Sequence, residues 1–314
     1  MGVIGIDVGG TSIKGARFAD DGSIARRGVV PTPQHDVAAT VRALAAELID
    51  GGNIDGGNID GGSIDGGSID GGIVTAVGVA VPGIVEDGVV RYAANLAWRD
   101  VPLRALLADA LGLPVTVAHD VGAAALAEAG DDELLYVSLG TGIGAALVAG
   151  GQVRHGATGQ VAEIGHIPVW PDGEPCACGQ FGCLEVYASA AGVARRYGRP
   201  GATSADVLAR SGSEPAAGAA WSDAVTALGL ALATATLLFD PARIVLGGGL
   251  AQAGDPLLAP VRAALAGRLT WRSAPPVVAA RYGLDAGVRG AALLAERLPA
   301  GTADTDAGEV GRAR

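Results

Sequence analysis

The sequence predicts an α/β fold with mixed sheets, arranged as two similar halves. Two observations carry that prediction. Short runs rich in Val, Ile and Leu alternate with longer segments of helical period along most of the chain. A strand–glycine turn–strand unit also occurs twice, once in "VIGIDVGGTSIKGARF" near the N-terminus and again in "ELLYVSLGTGIGAALV" from Glu133.

Taken in order, "VIGIDVGG" is a strand running into a glycine turn, and "SIKGARFA" returns from it. "SIARRGVV" follows the turn signal Asp20-Asp21-Gly22 as the next strand. "DVAATVRALAAELI" has helical spacing, with Val37, Val41, Leu44 and Leu48 on one face. "IVTAVGVAVPG" is a buried strand ending at Pro82-Gly83, "PLRALLADALGLP" a helix, and "VTVAHD" a strand ending in His119-Asp120. "AAALAEA" begins a helix. After the second strand–turn–strand unit a cysteine-bearing loop leads to a helix from about Val186. A long apolar helix ends near Phe239, and the strand "RIVLGGG" follows it. The helix "PLLAPVRAALAGRL", the short strand "PVVAA" and the helix "VRGAALLAERL" complete the order. The small, polar tail from Pro299 is expected to be disordered.

One stretch breaks this rhythm. Between Ile49 and Gly72 the unit "IDGGN" or "IDGGS" recurs, placing Asp50, Asp55, Asp60, Asp65 and Asp70 each before two glycines. A calcium-binding nonapeptide repeat would need a different period and a G-G-x-G-x-D-x-U-x pattern, which is missing. So many glycines cost too much backbone entropy to pack by themselves, and a flexible insertion between a helix and the next strand is expected.

Composition narrows the function classes. A net charge of −11 argues against a nucleic-acid partner, which requires a basic face. The start "MGVIGIDVGG" lacks the cationic segment and long apolar run of a signal peptide. The segment from Ala224 to Phe239 falls short of a membrane span and ends at Asp240-Pro241, so it reads as a buried core helix. A cytoplasmic protein with reduced cysteines is expected, with no membrane partner.

Candidate chemistry starts at "GIDVGGTSIK". Asp7 ends a strand, Gly9, Gly10 and Thr11 form the turn, and Lys14, the sole lysine, lies on the next strand. Glycine backbone lets N–H groups approach phosphate oxygens, the Thr11 hydroxyl adds a donor, and Asp7 suits Mg²⁺. The stretch is neither a Walker A loop nor a dinucleotide fingerprint, and alone it equals an ordinary glycine hairpin. It has two companions. "LGTGIG" carries Gly140, Thr141, Gly142 and Gly144, and "LGGGL" carries Gly247, Gly248 and Gly249 between a strand and a helix. Two phosphate-type turns and one turn suited to an adenosine point to ATP. Between the first two stands Asp120, at a strand's C-terminal end, where α/β active sites fall. A carboxylate there can take a proton from a hydroxyl that attacks a γ-phosphate. As a helix N-cap it would also fit the helix that follows.

All three cysteines, Cys176, Cys178 and Cys183, fall within "CACGQFGC". An odd number at this spacing suits a metal better than disulfides, and His166 in "EIGHIPV" completes a Cys₃His set. Four protein ligands leave no open position, so the ion expected is structural zinc.

These motifs together resemble the ROK family (repressor, open reading frame, kinase) of the sugar-kinase and actin-like ATPase superfamily. The resemblance runs from about Val3 to Leu298, interrupted by the pentapeptide insertion. "DVGGTSIK" is similar to the family's first phosphate motif, "GTGIG" to its second and "LGGGL" to its adenosine motif. "EIGHIPV…CACGQFGCLE" resembles the signature E-x-G-H…C-x-C-G-x-x-G-C-x-E. The resemblance implies a two-lobed actin-like (ribonuclease H-like) fold with a cleft, and a homodimer or homotetramer. Residues 1–118 would form the small lobe and 119–285 the large one, with a helix over 286–298 returning to the small lobe. It implies that Asp120 is the catalytic base of a glucokinase-like enzyme using ATP and Mg²⁺, with zinc on His166, Cys176, Cys178 and Cys183. It further implies that Gly83, Asn95, His119, Glu163, His166 and Glu185 face the hexose. The family usually has Asn where this chain has His119, and often Asn where it has Gly122. Kinases of N-acetylglucosamine, N-acetylmannosamine, fructose or allose are therefore the alternatives to glucose. A polyphosphate donor is disfavoured by the cysteine signature. A DNA-binding repressor of the family would carry a further domain ahead of Asp7, and a non-catalytic sugar binder would have no need of Asp7, Thr11 and Asp120.

Overall fold

The structure, a computed structural model, describes residues 2–50, 63–65, 73–130 and 132–299. Most of the pentapeptide block and the C-terminal tail lie outside the described residues. Two compact units emerge: one comprises the described residues up to Ala123 and those from Gly287 onward, the other Ala124–Ala286.

The first unit is built on a six-stranded sheet. Its strands are β1 (Gly2–Val8), β2 (Ser12–Phe18), β3 (Ile24–Pro31), β4 (Ser63–Asp65), β5 (Val74–Val81) and, after a small three-stranded sheet, β9 (Val115–His119). Their order is β4-β3-β2-β1-β5-β9. The first hairpins are antiparallel, whereas β1, β5 and β9 are parallel. The small sheet consists of β6 (Ile84–Glu86), β7 (Val89–Ala93) and β8 (Trp98–Val101).

Both faces of the large sheet are covered, which is why β1 and β5 read as near-continuous apolar runs. Ile4, Ile6, Val8, Val77 and Val79 pack with Val41, Leu44 and Leu48 of α1 (Val37–Asp50) and Leu103 and Leu107 of α2 (Leu103–Leu111). The opposite face, through Val3 and Ala76, meets Val288, Ala292 and Ala295 on the last helix, Ala286–Glu296. That approach is very close. A Cβ on Gly78 would stand 1.8 Å from the Ala291 carbonyl oxygen, and one on Gly5 would stand 2.1 Å from that of Val288. Only glycine permits the helix to lie so near the strands.

In the second unit, β10 (Leu134–Leu139), β11 (Ile143–Ala149) and β12 (Gln152–Val153) run antiparallel. β13 (Arg243–Gly247) and β14 (Val277–Ala279) then extend the sheet in parallel from β10. The pattern of hairpin followed by parallel strands repeats that of the first unit. The helices α3 (Asp120–Ala129), α4 (Leu184–Ala188), α5 (Ala190–Tyr197), α6 (Ser204–Arg210), α7 (Pro215–Phe239), α8 (Asp255–Ala266) and α9 (Ala286–Glu296) complete the chain order. By length and composition alone α7 could cross a membrane. It packs instead against α4, α5, α6 and α8, with Trp221, Leu228 and Leu232 in the core.

Several sequence expectations change. The boundary set at residue 118 moves to Ala123, because β9 pairs with β5 and takes His119 and Asp120 into the first unit. Ile49 and Asp50, assigned to the insertion, are the last turn of α1, and Ser63–Asp65 pairs with β3. The helix expected from Val186 starts at Leu184 and breaks at Ser189, whose hydroxyl accepts the Gly192 N–H at 2.9 Å and so caps α5. The small sheet and α6 gave no clear periodic signal.

Candidate active site and metal centre

In the first unit the parallel register aligns the carboxyl ends of three neighbouring strands. Asp7 on β1 lies beside Ala80 of β5, and Val81 lies beside His119 of β9. Asp7, Gly83 and Asp120 thus occupy one edge of one sheet, the usual ligand edge of such a fold. Lys14 pairs with Asp7 across the β1–β2 hairpin, and directly opposite residues share a face.

The Gly9–Thr11 turn is tight: the Gly9 N–H donates to the Ser12 carbonyl at 3.0 Å. Thr32 clamps it from β3's end, its hydroxyl donating to the Gly9 carbonyl at 2.6 Å and its N–H to that of Thr11 at 3.0 Å. Asn95 sits in a 3₁₀ turn, and a Cβ on Gly10 would be 3.7 Å from its own Cβ, so the turn and Asn95 adjoin. A Cβ on Gly287 would reach within 2.7 Å of the Asp7 carboxylate, so the start of α9 abuts that group. Gly83 has φ of +97°, and a Cβ there would be 2.0 Å from the Tyr92 carbonyl oxygen; the turn admits no other residue.

Asp120 is the first residue of α3 and lies in its first turn. Its Oδ1 accepts the Val121 N–H at 2.7 Å, and His119 Nε2 lies 3.2 Å from the same oxygen. Both contacts converge on Oδ1.

In the second unit, the other two glycine turns end adjacent parallel strands, since Ser138 of β10 pairs with Gly247 of β13. Gly248 has φ of +81°, and a Cβ there would be 2.6 Å from the Leu139 carbonyl oxygen, so the Gly247–Gly249 turn rests on the end of β10. Gly140 donates its N–H to the Gly142 carbonyl at 3.0 Å. The adjoining Ile143 N–H donates to Glu185 Oε2 at 2.7 Å, a contact that sequence reading missed. Nothing in local sequence links residues so far apart. Glu163 is exposed at the head of the 3₁₀ turn carrying His166.

The metal-ligand expectation can be tested on distances. Ligand atoms of His166, Cys176, Cys178 and Cys183 all lie within 4.8 Å of one another. The Cys178 and Cys183 sulfurs are 3.7 Å apart, and the Cys176 sulfur is 3.9 Å from His166 Nδ1. Two sulfurs each about 2.3 Å from one tetrahedral ion would be about 3.8 Å apart. The donor set therefore fits a divalent ion of that geometry. Burial, then the neighbouring thiols, pushes the Cys183 thiol up to about 12, while the Gln180 N–H draws Cys178 down. A cation among them offsets the cost of gathering thiolates. The loop is braced from outside: the Glu174 carboxylate takes Arg195 at 2.6 Å and also Arg196, and its N–H donates to the Tyr187 hydroxyl at 2.7 Å.

Two α/β units, each with a glycine hairpin leading into parallel strands, define the actin-like ATPase fold. The chain belongs to the ROK family, whose model matches residues 3–298. It is 34% identical to the glucokinase of Halalkalibacterium halodurans, over 82% of this chain and 83% of that protein. A ROK glucokinase from Streptomyces griseus, solved with glucose and AMPPNP, is similar at a TM-score of 0.76 and 31% identity, over 95% of this chain and all of that one. The ROK hexokinase of Thermus thermophilus is similar at 0.78 and 33%, over 94% and 98%.

Proposed function

We propose that the protein is a sugar kinase that transfers the γ-phosphoryl group of ATP to the 6-hydroxyl of glucose. The observation that carries the assignment is the convergence of both Asp120 contacts on Oδ1, which leaves Oδ2 as the proton acceptor. The hydroxyl oxygen bonds to phosphorus as its proton passes to Asp120, the bond to the bridging β–γ oxygen breaks, and ADP departs. Gly9, Gly10, Thr11 and Lys14 are read as holding β- and γ-phosphates, together with Gly140, Thr141 and Gly142. Gly247, Gly248 and Gly249 are read as receiving the adenosine.

Gly83, Asn95, His119, Glu163, His166 and Glu185 are read as hexose contacts. Since His166 Nδ1 faces the thiols, its Nε2 is the atom left for a sugar hydroxyl. Asp7 would hold Mg²⁺, which supplies charge neutralisation on the phosphates. The Cys₃His set would hold Zn²⁺, a structural ion with no position for water. The reaction requires ATP and an unphosphorylated hexose, a cytoplasmic pair. A coupled assay of ADP release across hexoses and amino sugars tests the reading. Glucose is expected to give the highest kcat/KM, and absence of turnover on every hexose would refute it.

A further inference from the structure

The Gly140–Ile143 turn is gripped from both sides by the segment that carries the metal ligands. Glu185, two positions after Cys183, accepts the Ile143 N–H at 2.7 Å. A Cβ on Gly142 would lie 2.5 Å from the same carboxylate oxygen, so a side chain there would displace the Glu185 carboxylate. Beyond it, the Ala190 N–H donates to the Gly140 carbonyl at 2.8 Å. On the other flank Gly165, directly before His166, packs against Ile143: a Cβ there would be 2.4 Å from the Ile143 carbonyl oxygen. With Gly140 and Ile143 donating within the protein, the Thr141 and Gly142 N–H groups find no protein acceptor among the described residues. Those two amides are the ones available to phosphate oxygens.

We propose that Glu185 is a positioning residue for the phosphoryl donor, tying the Gly142–Ile143 peptide to the metal loop so that the turn's free amides are preformed. The metal centre then supports nucleotide binding as well as the hexose site. This rests on reading Gly140–Gly142 as a phosphate turn.

The physical basis is preorganisation: a charge-assisted hydrogen bond to one amide removes freedom from the peptide that a ligand would otherwise have to order. Titration calorimetry of the metal-loaded full-length protein with AMPPNP and Mg²⁺, without sugar, isolates the effect. Glu185→Ala is expected to weaken AMPPNP binding about tenfold, the size of one lost hydrogen bond to a charged acceptor. Glu185→Gln keeps an oxygen acceptor for Ile143 and is expected to restore binding to within about twofold. Gly142→Ala, which drives a Cβ into the carboxylate, should mimic Glu185→Ala. Zinc content is expected to stay the same in all three.

Unchanged AMPPNP affinity in Glu185→Ala would overturn the proposal. So would a Glu185→Gln variant that loses as much as Glu185→Ala, since charge rather than the hydrogen bond would then matter. Wild-type protein that binds AMPPNP yet phosphorylates no hexose would refute the function assigned above and leave this inference standing. Wild-type protein that binds no AMPPNP would remove both.

Discussion

The hairpin at Gly9–Thr11 and the hairpin at Gly140–Gly142 share a motif, a strand order and a parallel neighbour strand, but not their supports. The first is held by its own sheet: Thr32, at the end of the next strand, binds the carbonyls of Gly9 and Thr11. The second is held by Glu185, Ala190 and Gly165, all from the metal-bearing segment or the helices that follow it. Equivalent turns can thus be stabilised by local pairing in one unit and by a distant loop in the other. The first should survive loss of the metal and the second should not.

The largest expected effect concerns the chemistry of the first unit. Asp120→Asn keeps the shape of the side chain but cannot take the proton, so kcat should fall by about 10² to 10⁴ while calorimetry shows glucose still bound. A near-normal kcat would remove Asp120 from the role of base. Withdrawing the metal with a chelator separates the two hairpins directly. Hydrogen exchange is expected to show lost protection over residues 140–146 and 163–188, with residues 8–14 unaffected. Sugar binding should be lost with it, and excess Mg²⁺ should not restore it. Equal loss at both hairpins would abolish the contrast.

Smaller effects probe the scaffold. Gly78→Ala would place a methyl 1.8 Å from the Ala291 carbonyl oxygen, and a destabilisation of about 3 kcal/mol is expected in denaturant unfolding. Wild-type stability there would mean that α9 does not lie on β5 as described. Thr32→Val removes the hydroxyl that donates to Gly9 at 2.6 Å. A loss of about 1 kcal/mol in melting experiments should accompany a raised KM for ATP, without change in zinc content. An unchanged KM for ATP would show that the Thr32 clamp does not shape the turn.

Much of this was legible in the chain itself, because strand period and glycine spacing are local. The strands over β1, β2, β5, β10, β11 and β13 follow from apolar runs bounded by glycine. The small sheet over residues 84–101 did not, since its strands are short, with exposed positions such as Ile84 and Tyr92 and no clean alternation. Asp120 was legible as a strand-end carboxylate, whereas the convergence of Val121 and His119 on a single oxygen is a matter of backbone geometry. The partition of His119 between the units was misread because a boundary drawn at a motif ignores strand pairing.

Local sequence carries the parts: three glycine turns, the strand-end aspartates Asp7 and Asp120, and a Cys₃His donor set between His166 and Cys183. Tertiary structure decided how they support one another. Glu185 meets Ile143, and Gly287 meets Asp7, across separations of many residues. Such contacts depend on which backbones come within van der Waals distance, a property of packing that no local pattern carries.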